Sequence, residues 1–398
     1  APFIRELNKA FPGVTYRVVS DDGHPVRGSL VFAVGDGAVD PSVARLAGGD
    51  GDDRPWMIAG AVGRGIAYAG TLLAAGGVAF LLYAHRGGPD RPGLRRIVRG
   101  AAGFGVLGAL TALPVQAALA TGKGAGSLFE PGVLREVGRD GVGPALGLGV
   151  IGLVGAVALL DRNRILAGSG ALVAAASFAA TGHTRVGDLA TPATVADGAH
   201  LVVVAVWGGG AVLLWQCLRL RRRADPQPDQ SDTAAIVVRF STLATSGVVL
   251  AGITGSFLAW NEVRSLEALV DTGYGRMLLV KLAAVAVIGA IAAYNHVRLL
   301  PALGQGKTRA ALDRLHQAVR LESAILAVVI GLTSVLVVMT PARTDAAGGP
   351  VERIIELGDA GSVQLVVAPA RAGSNQIHLY TFDPAGRPAE LAPSIELE

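Results

Sequence analysis

The sequence predicts a mainly α fold: a polytopic membrane helix bundle with eight transmembrane helices, plus partial extracytoplasmic β-sandwich segments at both termini. Three observations carry this expectation. Eight long apolar stretches are separated by short connections, Arg-rich connections alternate with poorer ones, and both ends switch to short β-rich runs. A bilayer core takes roughly 20 apolar residues in helical form. The composition agrees, because 51% hydrophobic against 17% charged residues and a mean hydropathy of +0.48 suit a chain solvated largely by lipid.

Taken in order, residues 1–34 read as the C-terminal part of a β-sandwich. Residues 14–19 and 29–34 are β-rich, and Asp21-Asp22-Gly23-His24-Pro25 between them is turn chemistry. About 34 residues cannot bury a self-sufficient core, so the start of this domain is expected upstream. Residues 35–56, rich in Gly and Asp, form a linker. The membrane domain is expected over 57–341, with spans near 57–85, 97–121, 142–160, 165–182, 198–218, 235–260, 275–297 and 318–340. Soluble-looking sequence precedes the first span, so none reads as a signal peptide. Residues 342–398 return to strands near 351–357, 362–369 and 375–382, and stop before an immunoglobulin-like sandwich would close.

The loop charges orient the bundle. The odd-numbered connections carry Arg86, Arg91, Arg95, Arg96 and Arg99, then Arg162 and Arg164, then Arg219 to Arg223, then Arg298, Lys307, Arg309 and Arg314. The even-numbered connections are poorer in charge, so the positive-inside rule places the odd ones in the cytoplasm and both termini outside the cytoplasmic membrane. The basic pI of 9.4 then reflects cytoplasmic anchors, and no nucleic-acid partner is needed. No phosphate loop and no nucleophile–base constellation is present in the sequence, which argues against an ATP-driven pump and against an enzyme. The 55 glycines permit close helix packing in lipid. Cys217 is the single cysteine; it allows no internal disulfide and reads as packing.

Several residues carry metal chemistry. Asp22 and His24 place a carboxylate and an imidazole two positions apart at a strand end. Such ligands suit Cu(II) and also Zn(II), although a D-x-H turn by itself is more often simply solvated. His183 closes the fourth span and His200 opens the fifth, with Asp197 one helical turn before His200 as a further ligand or as the carboxylate that orients the imidazole. Met57, Met277 and Met339 fall at one rim of the bundle. Thioethers suit Cu(I), but methionine is also a common gap-filler. Arg239 and Glu322 are expected to pair, Lys281 to snorkel outward, and His85, His296 and His316 to lie at the cytoplasmic side as interfacial residues or as an exit site.

The run Thr15-Tyr16-Arg17-Val18-Val19-Ser20-Asp21-Asp22-Gly23-His24-Pro25-Val26-Arg27-Gly28 resembles the closing segment of the copper-binding CopC family. The membrane region resembles its companion CopD family in Gly182-His183-Thr184, Asp197-Gly198-Ala199-His200, Trp207-Gly208-Gly209, Arg239-Phe240-Ser241, Thr272-Gly273-Tyr274-Gly275-Arg276 and Leu278-Leu279-Val280-Lys281-Leu282. The whole is similar to fused CopC–CopD proteins of copper resistance and copper uptake. That resemblance implies copper uptake, with Cu(II) captured at Asp22 and His24 and passed to His183 and His200 at the membrane mouth, where Cu(I) is also possible. It implies copper ions, the lipid bilayer and an extracytoplasmic copper donor as partners. In CopC an N-terminal histidine completes the site; this sequence starts at Ala1, and that ligand is expected in a preceding segment. Two rivals remain open from spacing alone: a membrane haem or copper redox protein using the same histidines, and a non-transporting scaffold delivering copper to a respiratory oxidase.

Overall fold

The computed structural model describes residues 13–19, 25–31, 54–121, 124–139, 142–181, 189–224, 230–303, 308–339, 341–342, 351–358, 361–368 and 375–384. The chain divides into a helical unit, centred on residues 53–339, and a unit of terminal segments.

In the terminal unit, β1 (Gly13–Val19) pairs antiparallel with β2 (Pro25–Val31), Val19 facing Pro25. The second strand thus begins four residues before the apolar run at 29–34, because the short connection over 20–24 sets the register. A separate antiparallel sheet is formed by β3 (Val351–Glu356), β4 (Ser362–Ala368) and β5 (Gln376–Phe382) in sequential order. Its strands coincide with the expected ones to within a residue.

The helical unit runs α1 (Arg54–Tyr83), α2 (Arg91–Thr121), α3 (Pro131–Arg139), α4 (Val142–Leu159), α5 (Arg164–Ala176), α6 (Ala190–Val204), α7 (Gly210–Ala224), α8 (Gln230–Val263), α9 (Leu266–Asp271), α10 (Gly273–Tyr294), α11 (Leu300–Ala302) and α12 (Thr308–Leu336). A π-bulge at Ala205–Gly209 joins α6 to α7, and another at Asn295–Leu299 joins α10 to α11. Among the described residues six helices are long and apolar enough to cross a bilayer: Pro55–Tyr83, Arg91–Leu119, Ala190–Arg223, Ser231–Val263, Gly273–Ala302 and Arg309–Leu336. The expected third and fourth spans fall on α4 and α5. These are shorter, and α4 counts as part of a seventh span only together with α3. The fifth span starts earlier than expected, at Ala190. Pro192 in the first turn needs no hydrogen-bond donor and is tolerated there, so the polar start 190–197 is helical rather than loop.

The core gathers around the second half of α1, where Val78, Phe80 and Leu81 meet Leu94 and Val98 of α2 and Leu213 of α7. In lipid there is no hydrophobic driving force between helices, so contact relies on close approach. Glycine provides it. A Cβ at Gly70 would stand 2.2 Å from the Gly105 nitrogen of α2, and one at Gly76 would stand 1.9 Å from the Ala205 carbonyl oxygen in the first π-bulge. The expectation that glycines mediate packing therefore holds at backbone range on two flanks of α1.

The C-terminus of α1 leaves carbonyls without intrahelical donors, and arginines from three helices supply them. Arg91 Nη1 donates to Leu81 O (3.0 Å) and His85 O (2.8 Å), and Arg239 Nε to Ala84 O (2.9 Å). Arg164 donates to Leu82 O. These cations also sit where the helix dipole favours them. The expected Arg239–Glu322 pair is replaced: Arg239 caps α1, and Glu322 accepts from Asn295 Nδ2 at 2.8 Å.

Candidate functional site

One polar cluster lies towards the N-terminal half of α1, inside the bundle. His200, ten residues into its helix, sits roughly 15 Å along from its start. Its Nδ1 lies 3.0 Å from Thr254 Oγ1 on α8. Thr254 has one hydroxyl proton, which it donates to Leu250 O at 2.7 Å, so towards His200 it accepts. The accepting hydroxyl thus fixes the proton on Nδ1 and leaves Nε2 as a lone pair. Gly255 makes room for this ring, since a Cβ there would stand 3.1 Å from His200 Cε1.

Asp197, one turn before His200, lies within electrostatic reach of Lys281 on α10 and Glu262 on α8. Lys281 reaches His200 as well, and Tyr68 on α1 is close enough to feel Asp197 and Arg64. Four helices therefore bring one imidazole, two carboxylates, an ammonium and a phenol together. Charges inside a bilayer are costly unless paired or facing a polar interior. The grouping of Lys281 with Asp197 and Glu262 meets that condition, and it differs from the outward snorkelling expected of Lys281.

A second cluster lies at the C-terminal end of α1. His85 Nε2 and Asp90 Oδ2 are 2.9 Å apart, and Cys217 Sγ donates to the same oxygen at 3.1 Å. Arg221 Nη2 reaches Asp90 Oδ1 at 3.2 Å, while its Nη1 donates to Asp232 at 2.8 Å and Thr233 at 3.0 Å. Burial opposes the charge on Asp90, which lies in the connection between α1 and α2. Hydrogen bonds from His85, Arg221 and Cys217 outweigh that cost and hold the carboxyl well below the usual carboxylate range. Gly88, at φ +134°, lets the connection wrap the cluster: a Cβ there would stand 2.9 Å from Asp90 Oδ1 and 3.0 Å from Arg221 Nη2.

Of the residues singled out in the sequence, Asp22, His24 and His183 lie outside the described residues. Asp197 and His200 share one face of α6, as their spacing implies. Met57 lies on α1, Met277 on α10 and Met339 in the turn just beyond α12, which packs on both α1 and α10. Met339 Cε lies 3.5 Å from the Cβ position of Gly273, which opens α10 one turn before Met277, and Met57 is 43% exposed. The His85–Asp90–Cys217 grouping was invisible beforehand, because 127 positions separate Asp90 from Cys217 and nothing local links them. His296 lies 3.3 Å from Ser241 Oγ and 3.5 Å from Thr245 Oγ1.

Residues 56–191 match the family described as copper resistance protein D-like, N-terminal domain, and residues 234–336 match the family described as copper resistance protein D. Together with the six long apolar helices, the matches make the chain similar to multi-pass membrane proteins of copper resistance. The chain is also similar to the copper transport protein CutJ of Bacillus subtilis (strain 168), 27% identical over a 412-residue alignment that covers 98% of this chain and 73% of that protein. No solved structure matches the chain. Asp197, His200 and Cys217 fall between the two family matches.

Proposed function

We propose that this protein carries copper into the cell across the cytoplasmic membrane, with both termini and the α1 N-terminal rim facing outward. Asp22 and His24 capture Cu(II) as part of a CopC-like domain, and His183 and His200 form the entrance to the bundle. Asp197 supports the entrance, and Met57, Met277 and Met339 offer a softer Cu(I) site at the same rim. Eight crossings result if α4 and α5 each span with their flanking segments, which keeps the Arg-rich connections on one side. An extracytoplasmic copper donor would load the capture site.

The observation that carries the reading is the open Nε2 of His200, held in one tautomer by Thr254 and set beside an acidic residue inside a membrane bundle. That is how a metal-binding imidazole is prepared: one nitrogen fixed by a hydrogen bond, the other free. The test is copper uptake into proteoliposomes. His200→Ala is expected to abolish uptake with the protein still folded and inserted. Thr254→Val should weaken it by roughly 10 to 100-fold in copper affinity, the usual cost of losing the partner that orients a ligand. Undiminished uptake by His200→Ala would remove His200 from the path.

A further inference from the structure

We propose that His85, Asp90 and Cys217 form a second, buried metal site at the C-terminal end of α1, built for a monovalent soft cation, Cu(I). It rests on the copper reading only for the identity of the ion; under the proposed orientation it lies at the cytoplasmic end. Three different ligand types converge there from two distant stretches of chain. The imidazole nitrogen, carboxylate oxygen and thiol sulfur all lie within 4.8 Å of one another, and every one of the three residues is buried. His85 and Cys217 are 0% exposed and Asp90 8%.

A purely structural network would use both nitrogens of a buried imidazole, since an unpartnered buried polar atom is costly. Here His85 Nδ1 is buried with no hydrogen-bond partner. The ring is held through Nε2 alone, so its proton can move to Nδ1 without breaking another bond, freeing Nε2 to coordinate.

Charge selects the ion. Arg221 neutralises Asp90 across 3.2 Å inside the site, while its other partner, Asp232 at 2.8 Å, is half exposed and carries a solvated charge outside it; His85 binds metal as the neutral ring. A Cys217 thiolate then balances one positive charge and no more. Cu(I) leaves the enclosed site neutral, whereas a divalent ion would leave a net buried charge, which proteins avoid. Thiolate and imidazole together also suit Cu(I) by softness. The step balances without redox chemistry: Sγ–Cu and Nε2–Cu bonds form, the S–H bond breaks, the His85 proton shifts from Nε2 to Nδ1, and one proton leaves to solvent. Asp90, now relieved of two donors, keeps its pair with Arg221 and remains beside the ion.

Cys217 is the single cysteine, so a thiolate-to-copper charge-transfer band in the ultraviolet reports this site alone. The full chain in detergent is titrated anaerobically with Cu(I) against a competing chelator. One equivalent should raise the band, and Cys217→Ser, nearly isosteric and able to keep the bond to Asp90, should lose it. His85→Gln should weaken binding at this site by at least the roughly tenfold that loss of a supporting partner costs. No band in folded wild-type protein, or an unchanged band and affinity in folded His85→Gln, would overturn the site. A band present while proteoliposome uptake is absent would instead sustain the site and count against the transport reading.

Discussion

At the scale of single residues, position in three dimensions decides what a side chain does. Asp90 would be an ordinary loop carboxylate by sequence, but three donors make it a charged hub. Its carboxyl titrates below its unfolded value of about 3.9, so the stability it contributes is fully present above that pH and is lost as pH falls towards the folded value. In the metal-free protein, the stability gap between wild type and Asp90→Asn should stay level from about pH 7 to 5 and close below about pH 4. Unfolding curves in detergent across that range would show it; a gap that widens in acid would mean the carboxyl is not ionised in the folded state. Arg264 illustrates the same point at a helix end. At φ +63° it ends α8 in a left-handed conformation usually left to glycine. Its guanidinium, bonded to Asn261 O at 3.2 Å and Asn261 Oδ1 at 2.9 Å, holds the turn.

At the scale of elements, what was legible in the sequence was what local pattern encodes. Apolar length located the six helices long enough to cross a bilayer among the described residues, while the two further expected spans fold as shorter helices. Side-chain caps close the helix starts: Asn163 Oδ1 accepts from the nitrogens of Ile165 and Leu166 at the start of α5, and Thr272 Oγ1 from Gly275 N at the start of α10. Asp197 and His200 were placed on one face by their spacing alone. The approach of Lys281 to Asp197, the tautomer of His200 and the Cys217 cluster were not legible, because each depends on which helices become neighbours and in what rotation. Periodicity within one helix carries no such information. The polar opening of α6 hid its first two turns for a related reason, since hydropathy follows lipid contact and this segment faces other helices in part. Element contact also yields a sharp expectation. Gly76→Val would drive a side chain into the Ala205 backbone, which cannot rotate away, and overpacking of this kind costs about 1–3 kcal/mol or more. Thermal melts in detergent should fall clearly for Gly76→Val, while Gly100→Val, where a Cβ meets nothing within 4 Å, should change little.

At the scale of the whole molecule, the arginines on which the proposed orientation rests are also structural. Arg91, Arg164 and Arg239 cap α1, and Arg221 closes the buried cluster, all at the same end. Under the proposed orientation, reporters fused after residue 90 or 225 should be cytoplasmic and those after 130, 190 or 268 external. A fusion after 190 that reports from the cytoplasm would show that α4 and α5 do not both cross.

The glycine contacts of α1 have a mechanical consequence. Backbone touching backbone leaves no side chain to flex, so α1 moves only with the helices that grip it. In α10, by contrast, only 11% of the most apolar window lies buried, against 67% in α1. The helix that carries Lys281 therefore offers more of its surface to lipid than α1, whose exposed apolar residues include Met57, Ile58, Val62 and Ile66. A change in bilayer thickness would therefore be felt first at α10 and at the charges around Asp197 and His200, and less at the His85 cluster just beyond α1.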